Sequence, residues 1–371
     1  MREARPRVDG RRAMRIGWRG AVGILLSALF MYFAFRGIAL REVAEHVRRA
    51  NIGLLLLSAV AATCIFPLRA LRWRPILDPI APDLPFSRLW SATAIGMMIN
   101  NVVPARAGEF ARAYALSRST PQVPFPAAFA SLAVDRLFDA VVVLLLMFAA
   151  MLDPAFPRGA TFMDRPVASY ATFFLLATLV AVALLYFMVL FPSRVLGLYE
   201  LVARRLAPRF EARGRDAIVS IANGLGVLKS PRRFASVFAW TVVHWLVNAL
   251  AFWIAFRAVG VPAPFSAALF LQGLIAIGVA IPQAPGFFGV FETFGKYGLG
   301  IYGVPADVAV TWAIGFHFLS YVPITVIGAW YFVRAGLSMR DLGGAERAAT
   351  SAPTPTPAPT PASAPSAART P

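Results

Sequence analysis

Charge is the scarcest property of this 371-residue chain: Asp, Glu, Lys and Arg make up 15% of it, where an average soluble domain has about 25%. The deficit is concentrated in long runs. Residues 168–191 contain no charged group, 234–256 contain only His244, and 308–333 contain only His317. A hydrocarbon core about 30 Å thick takes roughly 20 apolar residues per helix, so these runs exclude a soluble globular domain and predict a polytopic membrane protein. Cysteine is nearly absent. Cys64 alone permits neither a disulfide framework nor a thiolate metal site. The three histidines, His46, His244 and His317, are too far apart for a His-rich metal centre. No His-Glu-x-x-His, Gly-x-Ser-x-Gly or Walker sequence occurs. The expectation is therefore a protein without a soluble catalytic domain, without a cofactor and without a metal.

What charge there is leans one way. The formal net charge is +18, and only Lys229 and Lys296 among the 36 basic residues are lysine. The arginines lie mostly between apolar runs. Cytoplasmic loops facing an anionic leaflet explain that placement, and nucleic acid is not expected as a partner. Arginine in place of lysine, with abundant alanine and proline, fits a high-GC bacterium and hence an inner membrane.

Along the chain, residues 1–15 carry six Arg and are expected to be a basic cytoplasmic tail. No small-residue cleavage site follows the next apolar run, so 16–35 is expected as an uncleaved first span. Residues 37–50 read as an interfacial helix. A second span covers 52–68 and ends at Arg69, Arg72 and Arg74; the four prolines of 75–88 predict a loop. Residues 89–103 are apolar but short, and the polar stretch after Pro104 breaks them. Spans follow at 127–152, 168–191, 234–256 and 308–333. Residues 264–303 are apolar but interrupted by Pro282, Pro285, Gly286 and Gly289. Residues 341–371 are rich in proline, alanine and threonine and cannot bury enough apolar surface to fold.

The basic loop 192–233 belongs in the cytoplasm, as do both termini. Counting spans from those anchors makes 89–118 enter and leave from the inside, and 264–303 from the outside. The fold class expected is all-α: about six full spans plus two re-entrant hairpins, with 52–152 and 234–333 as halves of an inverted repeat. Paired broken segments in inverted repeats mark a midplane site in transporters.

Charges at membrane depth cost roughly 2.5–3.5 kcal/mol each on insertion scales, so they need partners or water. Asp135 and Asp139 stand at i and i+4 on one helical face, with Arg136 turned away by about 100°. A self-contained ion cluster and a substrate path both account for them. Asn100, Asn101, Arg106, Glu109 and Arg112 supply the polar content of the first hairpin, where Pro104 and Gly108 break the helix. Arg106 and Arg112 have the planar fork that binds phosphate, or they face headgroups. Glu109 and Arg112 have the spacing of an intrahelical pair. Gln283, Gly286 and Glu292 are the candidates in the second hairpin. Lys296 is expected at the interface. His317 is expected to be a packed, hydrogen-bonded residue, and His244 and Asn248 to bond each other or a neighbouring helix. Asp135-x-x-x-Asp139 is similar to part of the carboxylate set of membrane alcohol phosphotransferases, but the second acidic motif is missing.

Four motifs in order carry a more specific likeness. They are Leu68-Arg69-Ala-Leu-Arg72-Trp73; Asn100-Asn101 with Pro104-x-Arg106-x-Gly108-Glu109-x-x-Arg112; Asp135-Arg136-x-x-Asp139; and Pro282-x-x-Pro285-Gly286-x-x-Gly289-x-x-Glu292. Together they resemble the lysylphosphatidylglycerol synthase transmembrane-region family, over roughly residues 15–340. Where that family often has Glu, this chain has Asp135. The resemblance implies a flippase-like domain acting on membrane lipids, and lipid translocation rather than lipid synthesis, since only the proline-rich segment follows Arg340. Lipid identity and oligomeric state are left open.

Overall fold

The structure is a computed structural model describing residues 18–38, 40–103, 107–162, 165–206, 215, 230–280, 285–339 and 341. Of the residues singled out above, Pro104, Arg106, Pro282 and Gln283 lie outside the described residues, as do the tail 1–15, residues 342–371 and most of 207–229.

Helices dominate. In chain order they are α1 (Trp18–Phe35), α2 (Leu40–Arg49), α3 (Ile52–Leu77), α4 (Phe86–Val102), α5 (Ala107–Ser119), α6 (Phe125–Met151), α7 (Val167–Leu190), α8 (Pro192–Leu206), α9 (Pro231–Ala258), α10 (Phe265–Val279), α11 (Val290–Gly300) and α12 (Ala306–Arg334). A two-residue antiparallel strand pair precedes α7, and a 3₁₀ turn, Pro285–Phe287, precedes α11. Among the described residues, α3, α9 and α12 are long and apolar enough to cross a membrane. This is a polytopic, helical membrane protein.

The lengths repeat. Helices α3 to α6 have 26, 17, 13 and 27 residues; α9 to α12 have 28, 15, 11 and 29. Proline caps the same members of each set, with Pro85 and Pro124 before α4 and α6, and Pro264 and Pro305 before α10 and α12. A proline there sacrifices nothing, because the first N–H groups of a helix have no partner within it. Packing repeats too. Helix α4 lies on α12, as α10 lies on α6, while α3 and α9 pack on each other more extensively than any other pair.

Helices α3 and α9 are antiparallel. Asn51 N–H donates to Ala258 O (2.8 Å), Ser58 Oγ to Ala251 O (2.8 Å), and His244 Nδ1 faces Ile65 O (3.1 Å). The short pairs are antiparallel as well. In the first, Gly108 N–H donates to Asn100 Oδ1 (2.8 Å), Gly96 sits against Gly108 and Arg112, and Arg88 reaches Ser119 O. A methyl group on Gly108 would stand 2.0 Å from Gly96 O, so only glycine admits this approach. In the second, Gly278 meets Phe294 and Gly298 meets Leu271.

The two hairpins open toward opposite ends and their inner ends meet at Tyr321, in the middle of α12. Tyr321 Oη donates to Asn101 O (3.1 Å), and its ring lies against Gly286. The end shared by the C-termini of α3, α5 and α12 and the N-termini of α4 and α9 carries Arg74, Arg88, Arg118, Arg232, Arg233 and Arg334.

Two expectations are corrected. The second span does not end at residue 68, nor does a loop begin at 75: α3 runs through Pro67 and Pro75 to Leu77, burying Arg69 and Arg72. A span need not stop at its first arginine once carboxylates on a neighbouring helix neutralise it. The stretch from 107 onward is polar but forms a regular helix, because α4 and α6 cover its buried face.

Candidate functional site: a buried charge cluster beside a polar cleft

Arg69 and Arg72 are three residues apart on α3 and so share a face. That face meets the one on α6 that carries Asp135 and Asp139. Arg72 Nη2 lies 2.6 Å from Asp135 Oδ1, and Arg72 Nη1 lies 2.5 Å from Asp139 Oδ1. Arg69 Nη2 donates to Asp139 Oδ2 (3.1 Å). From α5, Arg112 Nη1 donates to Asp135 Oδ2 (3.2 Å), and its guanidinium lies 3.9 Å above the Trp73 ring. From α9, Trp245 Nε1 donates to Asp139 Oδ1 (3.0 Å). Arg136 is half-exposed, contacts Asp139 Oδ2 at 3.4 Å and pairs with Glu109.

The charges do not balance. Among the described residues, Arg69, Arg72 and Arg112 are buried against two buried carboxylates, Asp135 and Asp139, and the Arg136–Glu109 pair adds nothing net. One positive charge is left over in a low-dielectric setting. Among the described residues, Arg112 Nε and Nη2, and the Nε atoms of Arg69 and Arg72, have no hydrogen-bond partner. Buried donors of this kind are costly unless a ligand or water meets them.

Arg69 also lines a cleft of about 230 Å³ between the halves, together with Asn101, His244, Gln272, His317 and Tyr321. Asn248 donates to Gln272 Oε1 (3.0 Å), leaving buried Gln272 Nε2 without a partner. Glu292, which does not itself line the cleft, holds His317: its Oε2 accepts from Gly289 N–H (2.6 Å), and its Oε1 lies 2.6 Å from His317 Nδ1. His317 Nε2 reaches Gly286 O (2.7 Å). Gly286 and Gly289 have φ of 70° and 86°, which side-chain-bearing residues rarely adopt.

The structure gathers the sequence candidates into two groups. Glu109, Arg112, Asp135, Arg136 and Asp139 share the cluster; Asn101, Gly286 and Glu292 stand around Tyr321 and His317. Asn100 serves the hairpin, accepting from Gly108 N–H. Pro285 opens the 3₁₀ turn. The expected Glu109–Arg112 pairing gives way to Glu109–Arg136 and Arg112–Asp135, because α6 offers each a partner on its own side. His244 and Asn248 do not bond each other; they reach α3 and α10. Lys296 donates to the carbonyls of Phe33, Ala34 and Arg36, capping α1. Arg69, Arg72, Trp245, Gln272 and His317 were not among the site candidates. A signal existed for the first two: the i, i+3 arginines of α3 match the i, i+4 aspartates of α6 in number and spacing.

The sequence of residues 20–328 matches the family described as lysylphosphatidylglycerol synthase TM region. The chain belongs to that family. Among its relatives are two proteins of Methanothermobacter thermautotrophicus, each called UPF0104 membrane protein. One is 26% identical over 291 residues, covering 74% of this chain and 81% of the relative. The other is 21% identical over 324 residues, covering 84% and 94%. A segment of 121 residues is 35% identical to the protein called Glycosyltransferase AglD of Haloferax volcanii; it covers 33% of this chain but only 19% of that protein. As a member of the lysylphosphatidylglycerol synthase TM-region family, the chain has its cluster and its cleft within the matched residues.

Proposed function

We propose that this protein is a lipid translocase that moves a lipid with an anionic phosphate headgroup between the leaflets of a bacterial inner membrane. The observation that carries the reading is the surplus buried guanidinium charge of Arg69, Arg72 and Arg112, opening through Arg69 onto a polar cleft between two similar halves. A purely structural ion cluster would be balanced. A single-charged phosphate balances this one, and the arginine fork matches its oxygens.

The repeated lengths, the antiparallel α3–α9 pair and the hairpin ends converging on Tyr321 support an inverted-repeat transporter with two re-entrant hairpins. In this reading the arginine-rich end is cytoplasmic, α1, α6 and α7 complete six spans, and both termini lie inside. Headgroup-selective scrambling by purified protein in liposomes, without nucleotide or metal, tests the proposal. Loss of selectivity on mutating Arg69 is expected, and equal movement of every lipid would sink the idea.

A membrane-embedded transferase acting on a lipid phosphate is the second reading, favoured by the likeness of one segment to the Haloferax protein called a glycosyltransferase. A strict requirement for a sugar nucleotide in the same liposomes would select it.

A further inference from the structure

Hydrogen-bond chemistry leaves His317 little freedom. Its Nε2 is 2.7 Å from the Gly286 carbonyl oxygen, which only accepts, so Nε2 carries a hydrogen. Its Nδ1 is 2.6 Å from Glu292 Oε1. Two bare lone pairs repel at that distance, so one proton lies between them, making either imidazolium and carboxylate or imidazole and carboxylic acid. Both forms are neutral overall. The other carboxyl oxygen of Glu292 is anchored by Gly289 N–H (2.6 Å), which holds the geometry. The imidazole lies against Phe288 and Phe291, with ring centroids at 4.5 and 4.7 Å. Aromatic faces favour a cationic partner. The pair is buried, but His317 borders the cleft, so one member of it faces the cavity.

We propose that this proton is a co-substrate: Glu292 and His317 take up one proton with each anionic headgroup that enters the cleft and release it when the headgroup leaves. The proposal rests on the translocase reading above. Its basis is charge. The arginine–aspartate cluster, with Arg136 and Glu109, carries a net charge of +1 among the described residues. A singly charged phosphate brings the site to neutrality as long as the pair keeps its proton. If the proton passes to the aqueous compartment while the lipid stays, an uncompensated negative charge remains at membrane depth, which is costly. Proton and headgroup therefore stabilise each other and move in the same direction as a neutral load.

Few other groups bear on the pair. Arg69 of α3, His244 of α9 and Tyr321 of α12 line the same cleft; α4 and α10 contribute the amides of Asn101 and Gln272. Lys296, one turn along α11 from Glu292, is engaged by the α1 carbonyls. Among the described residues no Arg or Lys pairs with Glu292, and His317 is its ion-pair partner.

The test uses full-length protein in phosphatidylcholine vesicles with trace amounts of acyl-labelled phosphatidylglycerol or a chain-labelled isoprenoid phosphate, and an imposed pH gradient. For one proton per headgroup, the leaflet ratio of the label should settle at about tenfold per pH unit. The E292Q variant keeps an oxygen for Gly289 N–H and an amide hydrogen for Nδ1, and so needs no shared proton. It should lose the asymmetry, its leaflets settling within about twofold of each other. A wild-type protein that moves label to the same end point with and without the gradient overturns the coupling. A wild type that moves neither label overturns the translocase reading itself, and the coupling with it. A readout independent of transport is the ¹⁵N spectrum of histidine-labelled protein, wild type minus H317Q. A protonated Nε2 and a strongly hydrogen-bonded Nδ1 are expected; a hydrogen-free Nε2 removes the proton from the site.

Discussion

Glu292 and His317 meet at 2.6 Å where α11 packs on α12, and Arg112 and Asp135 meet at 3.2 Å where α5 packs on α6. Asp135 stands eleven residues beyond Pro124, and His317 twelve beyond Pro305. The two helix pairs carry different chemistry. One holds a permanent ion pair tied into a positive cluster; the other holds a pair whose charge depends on a single proton.

Replacing Arg72 with Gln should be the most destabilising change in the cluster. Arg72 is fully buried and touches both aspartates. Breaking a buried pair from one side typically costs about 3–5 kcal/mol. Thermal unfolding in detergent should show a large drop for Arg72→Gln. Adding Asp139→Asn should cost less than the same change costs in the wild type, because its contact with Arg72 is already gone. Strict additivity of the two changes would mean that the pair is not coupled.

Arg69 should separate function from folding. Its ties to the aspartates are longer than those of Arg72, and it borders the cleft. Arg69→Gln is expected to lower lipid movement about tenfold or more while membrane abundance changes little, since a lost charged hydrogen bond is worth roughly 1.5–3 kcal/mol. Arg69→Lys keeps the charge without the fork and should fall in between. Translocation assays alongside quantified expression decide this.

Two glycines of α12 make a matched comparison. A methyl group at Gly328 would stand 2.3 Å from Ala94 O, whereas at Gly315 it would meet nothing within 4 Å. Gly328→Ala should destabilise by about 1–3 kcal/mol through overpacking. Gly315→Ala should stabilise by roughly 0.5–1 kcal/mol through helix propensity. Equal shifts in melting temperature would contradict the close α4–α12 contact.

Sidedness is open to single-cysteine labelling in a Cys64→Ala background, since Cys64 is itself exposed. Cysteine at Gln122, between α5 and α6, should react from the cytoplasm. Cysteine at Gly159, before α7, and at Gly300, ending α11, should react from the opposite side. Gln122 and Gly300 labelling from one face would mean that the hairpins do not open toward opposite ends.

The sequence by itself determined the class of molecule. Uncharged runs longer than a bilayer is thick have no stable soluble form, so membrane insertion could be read from composition alone. The four ordered motifs identified the family, and the broken apolar segments 89–118 and 264–303 raised the expectation of a repeat, because proline and glycine interrupt a helix locally. Partnership was another matter. Arg69 looked like the end of a span, and Glu109 and Arg112 like a pair, since each local reading was sound for an isolated helix; His317 is packed and hydrogen-bonded as expected, but its partners could not be read. Tertiary structure decided otherwise. Ion pairs between helices depend on which faces meet, and those faces are chosen by packing between segments tens to hundreds of residues apart. Glycines such as Gly96 and Gly108 set how closely the helices approach. Only when α3, α5 and α6 close on one another does the surplus positive charge exist as a single site, and only when α11 meets α12 does His317 acquire its proton partner.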